Sequence, residues 1–576
     1  MQNRSLVPVL FTVMKGYTKD QFARDVVAGI LVGIIAIPLS IALAIASGLS
    51  PEWGLITSAV AGFLVAVFGG SRVQIGGPTA AFVPVIYGVV SEFGIDGLLV
   101  TTWMAGGILL VMGLSRMGGM IKYIPYPVVT GFTAGIAILT AVIQIKDFTG
   151  MDLDKVPVDF VPLVGVYVKN IWSIDWGTLE LGIFSLVVML VWDKWPSKWM
   201  RYLPGALVAI VVATLAVAWL PEELGLMGVA TIGSQFSDLE GGVPEFTLPS
   251  GVDREMVQSL IGPAITIAIL AGIESLLSAV VTDGMIGSRH RSNAELVGQG
   301  LGNVGAAMFG GMPATGAIAR TATNAKNGAR TPIAGLVHSA TVLLVVLVFM
   351  PYAKMIPLTA LAAVLFVVCY NMADWHAFHD IGKGPLSDGM VFLLTFVMTV
   401  VFELVVALQV GLVLSVFLFM KRMADVADVQ EVGGMFGQKS TGRVGLHDAA
   451  IRRKIMRKFG SRLLVYEING PFFFGVVDKF VDVTRQIRTD VKGILVLMGD
   501  VPVMDATALH HFETFIRVCG QRKVKLYLVG AQEQPLLAMK KKGLLDHVGD
   551  EHICDEIGEA VEKFEFEMDK KKKKDK

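Results

Sequence analysis

Long apolar windows without charged residues recur through the first 420 residues of the chain. A helix needs about 20 apolar residues to cross the roughly 30 Å hydrocarbon core of a bilayer, because no backbone polar group can stay unpaired there. The windows therefore predict a polytopic α-helical membrane protein with 12 to 14 membrane-spanning segments, and we favour a total of 14. Ten long windows cover residues 26–51, 53–71, 73–91, 97–115, 123–145, 202–221, 256–273, 296–319, 331–353 and 355–373, and shorter ones cover 181–192, 389–402 and 404–420.

Charge is distributed unevenly along the chain. The 576 residues are 53% apolar and 17% charged, whereas a soluble domain carries about 25% charged residues. Of the 98 Asp, Glu, Lys and Arg residues, 51 lie in the 156 residues from Lys421 onward. The composition predicts one domain in lipid and one in water, and it excludes a disordered chain, a collagen-like fibre and a secreted disulfide scaffold. A net charge of zero provides no strong attraction for nucleic acid.

Two of the apolar windows are interrupted in the same way. Residues 76–82 and 310–318 each place a Gly pair, a Pro and a Thr before a stretch of small residues. Proline suits the first turn of a helix, and the preceding glycines let the backbone run extended, so each window predicts a half helix that begins inside the membrane. Paired interrupted segments in two halves of a chain indicate an inverted-repeat transporter with its site between the repeats. The alternative is a Gly/Pro kink in each of two ordinary helices.

Clusters of lysine and arginine set the expected orientation in the membrane. They lie at residues 4–24, 116–122, 289–291 and 421–422. An even number of spans puts both termini on one side of the membrane, and the positive-inside rule makes that side cytoplasmic. We therefore expect a multi-pass protein of the cell membrane with both termini in the cytoplasm.

The charged region after Lys421 alternates between strand and helix patterns, which predicts a cytoplasmic α/β domain with a mostly parallel sheet. Predicted strands lie at 463–468, 493–498 and 524–529, and predicted helices at 475–489, 506–519 and 534–542. We expect the run Lys570–Lys574 to be a solvated, disordered end, with contact to anionic lipid as the alternative. The predicted boundaries are 1–24 for a cytoplasmic segment, 25–422 for the transmembrane domain, 423–440 for a linker, 441–565 for the α/β domain and 566–576 for a lysine-rich tail.

Glu274 is an ionisable residue well inside the apolar segment 256–282. Ionisable groups within membrane segments are costly and are functional hypotheses by default. Ser278 lies one helical turn later and on the same helix face. A buried carboxyl group is suited to carrying a proton, and one that faces water to binding a cation. Glu274 and Ser278 are therefore candidate coupling-ion residues, and the structural alternative for Glu274 is a hydrogen bond between helices.

Arg320 lies about two turns into the half helix that is predicted to start near Pro313. A guanidinium stays charged and offers a fork of donors to an oxyanion. The amino ends of the two half helices add unpaired N–H groups and positive dipole ends. Alternatively, Arg320 extends to the cytoplasmic surface or pairs permanently with Glu274. The candidate anion-binding residues are Pro78, Thr79, Ala80, Ala314, Thr315, Gly316 and Arg320.

The chain contains no motif that points to an enzyme. It has no Walker loop, no Gly-x-Ser-x-Gly and no His-Glu-x-x-His motif, and its three cysteines form neither a disulfide framework nor a metal-ligand spacing. We expect no catalytic residue, no cofactor and no bound metal. In the α/β domain, Asp505 follows a strand and is placed to cap the next helix, which contains Thr507.

These features resemble the SulP family of sulfate-permease-like anion transporters over nearly the whole chain. The most specific stretch is 309–335, which looks like the tenth membrane segment of that family and its following loop. Ile273-Glu274-Ser275 resembles the eighth segment, Gly77-Pro78-Thr79 the third and Ile37-Pro38 the first. Residues from about 440 to 565 resemble the family's STAS domain, which is shared with anti-sigma-factor antagonists.

The resemblance implies 14 segments in a 7+7 inverted repeat, divided into core and gate domains, and a homodimer that works by an elevator-like movement. It also implies that Glu274, Ser278, Thr315 and Arg320 lie at or near the substrate and coupling-ion site. In the family, an aspartate at the position of Glu274 accompanies sodium coupling in bicarbonate carriers, whereas glutamate is usual in proton-coupled members. Glu274 therefore favours proton symport.

Two departures from the family pattern qualify the resemblance. Leu39 and Leu43 stand where many sulfate-type members have Gln and Tyr, which weakens the case for sulfate. The position that is phosphorylated in the anti-sigma antagonists falls at Thr507, so Asp505 and Thr507 are a candidate regulatory site, with a residue at a helix start as the alternative for Thr507.

The expected function is secondary active transport of a small oxyanion, which is bicarbonate, a dicarboxylate or sulfate, coupled to protons. A sodium-coupled bicarbonate importer is the alternative in the same class. An anion exchanger or channel, and a regulatory membrane protein that acts through its STAS domain, are alternatives of other kinds. The expected partners are the anion, a proton or sodium ion, the lipid bilayer and a second copy of the chain, whereas the partners of the STAS domain are not indicated by the sequence.

Overall fold

The chain folds into two compact units, residues 1–415 and 416–576, in a computed structural model. The described residues are 6–14, 16–119, 125–153, 157, 159–194, 204–221, 224–236, 239, 242, 244–373, 375, 378–379, 383–402, 404–431, 457–485 and 490–574.

The first unit is built from helices, with two very short strands among them. The helices are α1 (Leu10–Val13), α2 (Lys19–Ala46), α3 (Pro51–Phe68), α4 (Val83–Leu114), α5 (Tyr126–Ile143), α6 (Ile145–Thr149), α7 (Phe160–Lys169), α8 (Trp176–Lys194), α9 (Gly205–Trp219), α10 (Ile232–Gln235), α11 (Arg254–Ile286), α12 (Ser292–Met308), α13 (Ile318–Lys326), α14 (Ile333–Ala353), α15 (Leu358–Met372), α16 (Leu386–Val401) and α17 (Leu404–Val426), within which the unit boundary falls. The strands are β1 (Gly76–Gly77) and β2 (Thr315–Gly316).

Six helices among the described residues are long and apolar enough to cross a membrane, judged by length and composition. They are Lys19–Ala46, Pro51–Phe68, Ala80–Leu114, Tyr126–Thr149, Arg254–Ile286 and Ile333–Ala353. Shorter apolar helices are Phe160–Lys169, Trp176–Trp192, Gly205–Trp219, Leu358–Met372 and Leu386–Val401. The chain is therefore polytopic, and the count of 14 segments stays a prediction.

Helix α4 is interrupted at Gly94, between the two windows that were predicted as separate segments. The backbone of Gly94 has φ 67° and ψ −163°, far from helical values. Glycine adopts positive φ without steric cost, because it has no Cβ. The break therefore separates a first helical stretch, which follows β1, from a second one that contains the window 97–115.

Helix α2 lies very close to α14 because glycines face the partner helix. A Cβ added at Gly29 would lie 2.5 Å from the Ala334 carbonyl oxygen, and one added at Gly33 would lie 2.9 Å from Thr341 Cβ. Small residues four apart let two membrane helices approach to backbone contact, where dispersion replaces the missing hydrophobic driving force. The glycine spacing therefore lets α2 pack directly against α14.

The second unit contains a mixed sheet of five strands within its described part, in the order β3-β4-β5-β6-β7. Strand β3 runs antiparallel to β4, and the other neighbouring pairs are parallel. The strands are β3 (Asp428–Glu431), β4 (Leu463–Asn469), β5 (Gly493–Asp500), β6 (Lys525–Val529) and β7 (Ile553–Cys554), and the helices are α18 (Phe474–Arg485), α19 (Ala506–Gln521), α20 (Glu533–Lys541), α21 (Leu545–Val548) and α22 (Ile557–Lys574).

Each face of this sheet is covered by its own apolar layer. Successive side chains of a strand point to opposite faces, and β5 shows this directly. Ile494 and Val496 pack with Phe480 and other residues of one layer, whereas Leu495 packs with Phe564 of α22 in the other. The three predicted strands and three predicted helices of this domain are confirmed by these elements.

Four elements of the second unit were not predicted from the sequence, namely the strands β3 and β7 and the helices α21 and α22. Strand β3 lies inside the predicted linker 423–440, and β7 was not predicted; edge strands of four and two residues are too short to show a period-2 pattern. The tail was expected to be disordered, but α22 continues through Lys574. A Glu559–Lys563 ion pair of 2.8 Å, one turn apart, supports the same helix earlier in its course. Helix α17 runs through Val426, so the first four residues of the predicted linker are helical. Residues 432–456 lie outside the described residues.

Asp25 of α2 is fully buried and fastens the loop that joins α13 to α14. Its carboxylate accepts hydrogen bonds from the Tyr17 hydroxyl (2.9 Å), Gln21 Nε2 (3.0 Å), the Arg330 N–H (2.8 Å) and the Thr331 hydroxyl (2.5 Å). Burial raises the pKa of Tyr17 to about 12, so its hydroxyl remains a donor at neutral pH. Four donors converge on one side chain, and each would lose its partner together with that carboxylate.

Replacing Asp25 with alanine should therefore destabilise the first unit. The Thr331 hydroxyl is buried with Asp25, and a buried donor left unpaired costs about 1–3 kcal/mol, so the free energy of unfolding of Asp25→Ala should fall by at least about 1–3 kcal/mol. Thermal unfolding of the purified protein in detergent measures this change. The control is Asp20→Ala, which removes an exposed carboxylate from the same helix; an equal melting temperature for the two variants would contradict the anchoring role.

Candidate functional site

The two interrupted windows meet as an antiparallel pair of short strands. Gly76 pairs with Gly316, and Gly77 pairs with Thr315. A 3-10 turn at Ala80–Phe82 and then α4 follow β1, and α13 follows β2. The extended backbone predicted at the glycine pair is observed in the first window, at Gly76–Gly77. In the second window Gly310 has φ 71° and the strand lies after Pro313. The pairing brings together segments that lie about 240 residues apart in the chain.

Both helix starts lie later than the sequence predicted. The first helical turn begins at Ala80 rather than at Pro78, and the second begins at Ile318 rather than near Pro313. The strand pairing explains the shift, because residues engaged with the opposite strand cannot begin a helix. Arg320 consequently lies in the first turn of α13, not about two turns into a half helix.

Arg320 ties the two segments together from the inside. Its side chain is 2% exposed, and Nη2 donates to the Pro78 carbonyl oxygen at 3.0 Å. Nη1 makes a longer contact of 3.4 Å with Ser58 Oγ. A Cβ added at Gly77 would lie 2.6 Å from Nη1, so glycine there leaves room for the guanidinium. Neither alternative for Arg320 is observed: the side chain is buried, and it forms no ion pair with Glu274 within the described residues.

Glu274 of α11 reaches the start of the first half helix. Thr79 Oγ1 donates to Glu274 Oε1 at 2.9 Å, and the same hydroxyl oxygen accepts a weak hydrogen bond of 3.5 Å from the Ala81 N–H. Glu274 Oε2 is buried and has no hydrogen-bond partner in the part of the chain that is described. Glu274 and Arg320 lie close enough for their charges to interact. One carboxyl oxygen thus remains available at the end of the half helix.

Ser278 is not brought to the Glu274 carboxyl group by a shared hydrogen bond. Its hydroxyl donates to Gln74 Oε1 at 3.2 Å, and Gln74 Nε2 donates to the Ser275 carbonyl oxygen at 3.1 Å. A Cβ added at Gly316 would lie 1.5 Å from Gln74 Nε2, so this glycine is required by the close approach. Gln74 clamps α11 to the strand pair, and Ser278 is part of that clamp.

The predicted anion ligands Ala314, Thr315 and Gly316 have their polar groups engaged inside the protein. Asn303 Oδ1 accepts from the Ala314 N–H and Asn303 Nδ2 donates to the Ala314 carbonyl oxygen, both at 2.8 Å. The Thr315 hydroxyl lies 2.8 Å from Ser275 Oγ, which also accepts from the Gly316 N–H at 3.0 Å. These residues shape the site, and their bonded groups are not free to bind an anion.

The available backbone donors lie one step further along the chain. The first N–H groups of a helix have no acceptor within that helix, and in α13 these belong to Ile318, Ala319 and Arg320. Ile318 and Ala319 are exposed, unlike the buried residues before them. The N-terminus of α13, with its positive dipole end and the Arg320 charge beside it, is therefore the part of the site suited to an anion.

In the second unit, Asp505 joins the starts of two helices. Asp505 Oδ1 accepts from the Ala508 N–H at 2.7 Å, which caps α19. Asp505 Oδ2 accepts from the Phe474 N–H, the first residue of α18, at 3.1 Å. Thr507 is exposed in the first turn of α19. The capping role predicted for Asp505 is observed, and Thr507 is open to solvent.

Three buried polar residues of the site region were missed by the sequence analysis. Gln74 and Asn303 are described above, and Glu295 fixes the turn before β1 by accepting from the N–H groups of Gly70 (2.9 Å) and Ser71 (3.0 Å). The sequence signal that could have identified these three residues is a polar side chain inside or beside an apolar window. No group of three or more His, Cys, Asp and Glu that could hold a metal ion occurs among the described residues.

Comparisons with known proteins agree over both units. Residues 22–395 match the sulfate permease family, and residues 454–560 match the STAS domain. The Bacillus subtilis protein named "Putative sulfate transporter YvdB" is 38% identical over 549 residues, which cover 95% of this chain and 98% of that protein. The bicarbonate transporter BicA of Picosynechococcus sp. is 29% identical over 540 residues, 91% of each chain.

Two solved structures share this fold. The overall structure of SLC26A9 has a TM-score of 0.85 over 99% of this chain and 94% of that chain at 16% identity, which shows the fold alone. The transmembrane domain of a cyanobacterial bicarbonate transporter BicA has a TM-score of 0.61 at 27% identity, over 69% of this chain and 98% of that domain. From the family match, the chain belongs to the sulfate permease (SulP) family of multi-pass membrane transporters for anions such as sulfate and bicarbonate, and it carries a C-terminal STAS domain.

Proposed function

We propose that this protein carries a small oxyanion together with a proton across the cell membrane. The observation that carries the proposal is the hydrogen bond between Thr79 and Glu274, which joins an ionisable carboxyl group to the start of a half helix. The second oxygen of Glu274 is buried without a partner among the described residues, so it is a place for a proton. The proposed substrates are bicarbonate, a dicarboxylate or sulfate, and the protein is not an enzyme.

The anion is proposed to bind at the N-terminus of α13, opposite the turn at Ala80. The free N–H groups of Ile318 and Ala319 supply hydrogen-bond donors, and Arg320 supplies a permanent positive charge. Arg320 acts mainly through this charge, since its Nη2 is engaged by the Pro78 carbonyl oxygen. Favourable interaction with an anion is strong here because the surroundings have a low dielectric constant.

Coupling follows from the charges of Glu274 and Arg320. When Glu274 is ionised, its negative charge cancels that of Arg320 and opposes a second negative charge in the site. When Glu274 is protonated, the site keeps the charge of Arg320 and accepts an anion. Because linkage is reciprocal, the anion favours the proton as much as the proton favours the anion, and the two cross together.

The architecture in this proposal is the one that the resemblance implied. It has 14 segments in a 7+7 inverted repeat with core and gate domains, an elevator-like movement, a homodimer and both termini in the cytoplasm. The pairing of β1 with β2 supports two repeats that meet at the site, because the strands come from corresponding interrupted windows of the two halves. The predicted domain boundaries 1–24, 25–422, 423–440, 441–565 and 566–576 belong to the same proposal, with β3 as the part of the linker that joins the sheet.

A sodium-coupled bicarbonate importer is the second candidate, favoured by the 29% identity to the bicarbonate transporter BicA. In that case Glu274 would bind sodium in its ionised form, with Ser278 as a further oxygen ligand after release from Gln74. An imposed ion gradient distinguishes the two candidates. A proton gradient drives accumulation of the anion in the first case, and a sodium gradient drives it in the second.

The deciding experiment is uptake of labelled bicarbonate, sulfate and fumarate into proteoliposomes. An inward proton gradient should drive accumulation of one of these anions, and a sodium gradient alone should not. Accumulation only with sodium would transfer the assignment to the bicarbonate importer. Equilibration without accumulation would indicate a channel or exchanger, and no flux of any anion would favour a regulatory protein that acts through its STAS domain.

Glu274→Gln should abolish proton-driven accumulation, because glutamine keeps the shape of the side chain but cannot ionise. Anion exchange at equal concentrations should persist, since the variant resembles the protonated site. The measurement is uptake with and without a proton gradient in the same proteoliposomes. Glu255→Gln, an exposed substitution at the start of the same helix, is the matched control; wild-type accumulation by Glu274→Gln would disprove the proton-carrier role.

Arg320→Ala should weaken the apparent affinity for the anion about tenfold or more, which corresponds to about 1.4 kcal/mol or more of lost interaction. Arg320→Lys should lose less affinity for the anion, because lysine keeps the positive charge. It lacks the two guanidinium nitrogens that contact Pro78 and Ser58. Concentration dependence of initial uptake gives both values. Arg289→Ala removes an exposed arginine and serves as the control. An unchanged affinity in Arg320→Ala would assign the residue to structure alone.

In the STAS domain, Asp505→Ala should lower stability and Thr507→Ala should not. Loss of a helix cap costs about 1 kcal/mol, and Asp505 also holds the first N–H of α18, whereas the Thr507 side chain is exposed. Thermal unfolding of the full chain in detergent tests this difference. Basal transport by Thr507→Ala should equal that of the wild type if the residue is regulatory or only part of a helix start. Severe loss of transport in Thr507→Ala would contradict both interpretations.

A further inference from the structure

His338 is a buried titratable side chain that the proposed transport site does not use. It lies in the second turn of α14 and is 0% exposed, and neither ring nitrogen has a hydrogen-bond partner among the residues the structure describes. The hydroxyl of the neighbouring Ser339 is also buried without a partner in that set. Buried polar side chains are almost always hydrogen-bonded. His338 and Ser339 are two adjacent exceptions among the described residues.

Both side chains face the point where α3 passes β1. A Cβ added at Gly62 of α3 would lie 2.8 Å from Ser339 Oγ, 3.2 Å from the Gly76 carbonyl oxygen and 3.5 Å from His338 Nδ1. Polar atoms of α14 and β1 therefore converge on a glycine. Ser58, which contacts Arg320, lies one helical turn earlier on the same face of α3. His338 and Arg320 thus flank β1 along one face of α3.

Arg320 is the charged group whose electrostatic field acts on His338. The elements packed against this part of α14 contribute few others. Helix α2 contributes Asp25, whose carboxylate is engaged by four donors at the start of α14. Helix α3 presents Gly62 and β1 presents glycine. A proton on His338 therefore places a second positive charge near Arg320, without a carboxylate in hydrogen-bonding contact among the described residues.

We propose that His338 is a second proton-binding residue of the transport cycle, linked to the anion through Arg320. A proton on His338 is disfavoured first by the full burial of the side chain and then, without the anion, by repulsion from the positive charge of Arg320. An anion at the N-terminus of α13 offsets the charge of Arg320 and lessens this repulsion. Reciprocity then requires that a proton on His338 strengthens anion binding by the same factor. The inference rests on the proposed function and adds a second proton site to Glu274.

The test is the pH dependence of anion affinity in the purified full-length protein. Radiolabelled sulfate and fumarate are the probes, because both keep their charge between about pH 6 and pH 8, the range in which histidine titrates. The Kd of a bound probe should rise with pH by up to about tenfold per unit for each linked proton. His338→Gln should remove one such tenfold factor per pH unit. His510→Gln, which removes an exposed histidine of the STAS domain, should keep the wild-type slope.

Glu274→Gln provides a second measurement that does not depend on altering His338. If His338 binds a proton, this variant should keep a reduced slope. A flat profile in Glu274→Gln, or a wild-type slope in both His338→Gln and His338→Asn, would overturn the inference and leave Glu274 as the proton site. A wild-type Kd that is independent of pH would overturn the proposed proton symport and this inference with it. If the His338 variants do not fold, the slope of Glu274→Gln decides.

Discussion

The structure of the candidate site depends on how a stretch of non-helical backbone is paired deep inside an apolar unit. Hydrocarbon offers no partner to an exposed N–H or C=O, so irregular backbone is tolerated there only when the protein itself supplies the hydrogen bonds. The pairing of β1 with β2 supplies some of them. Side chains supply others: Asn303 serves both polar groups of Ala314, and Arg320 serves the Pro78 carbonyl oxygen. Asn303 and Arg320 are buried polar residues whose partners lie in non-helical backbone. That backbone has polar groups that no helix pairs, so side chains must pair them.

The pairing of β1 with β2 also explains how the positive charge of Arg320 can be buried beside these strands. A buried guanidinium is costly unless its donors are engaged. The Pro78 carbonyl oxygen accepts from Arg320 Nη2 because the chain is extended at that point, whereas Nε has no partner among the described residues. The extended strands also leave the first N–H groups of α13 without an acceptor in their own helix. Positive charge and free donors are thus produced at one position by a single backbone feature. Glu274 approaches the other half helix through Thr79, so the opposite charge is close but not in contact.

Much of this organisation could be predicted from residue patterns. Glu274 and Arg320 stand out because ionisable side chains are rare in apolar windows, and the interrupted windows stand out by their Gly, Pro and Thr order. The helix starts were predicted too early because strand pairing between segments about 240 residues apart has no local signal. Gln74 and His338 are visible as polar residues in apolar windows, but their partners, or lack of partners, depend on tertiary packing. For the same reason, the short edge strands β3 and β7 could not be found from a period of two residues.

The hydrogen bonds around the strand pair also constrain how the site can be exposed to each side of the membrane. Gln74 joins β1 to α11, Ser275 joins α11 to β2, and Arg320 joins α13 to the turn after β1. A movement that kept these bonds would carry the four segments as one body. The ligands of the cargo would then be identical at both faces, so its intrinsic affinity would be symmetric. With the proposed proton coupling, net flux would follow the sum of the anion and proton gradients, and the carrier would run backwards whenever that sum changed sign.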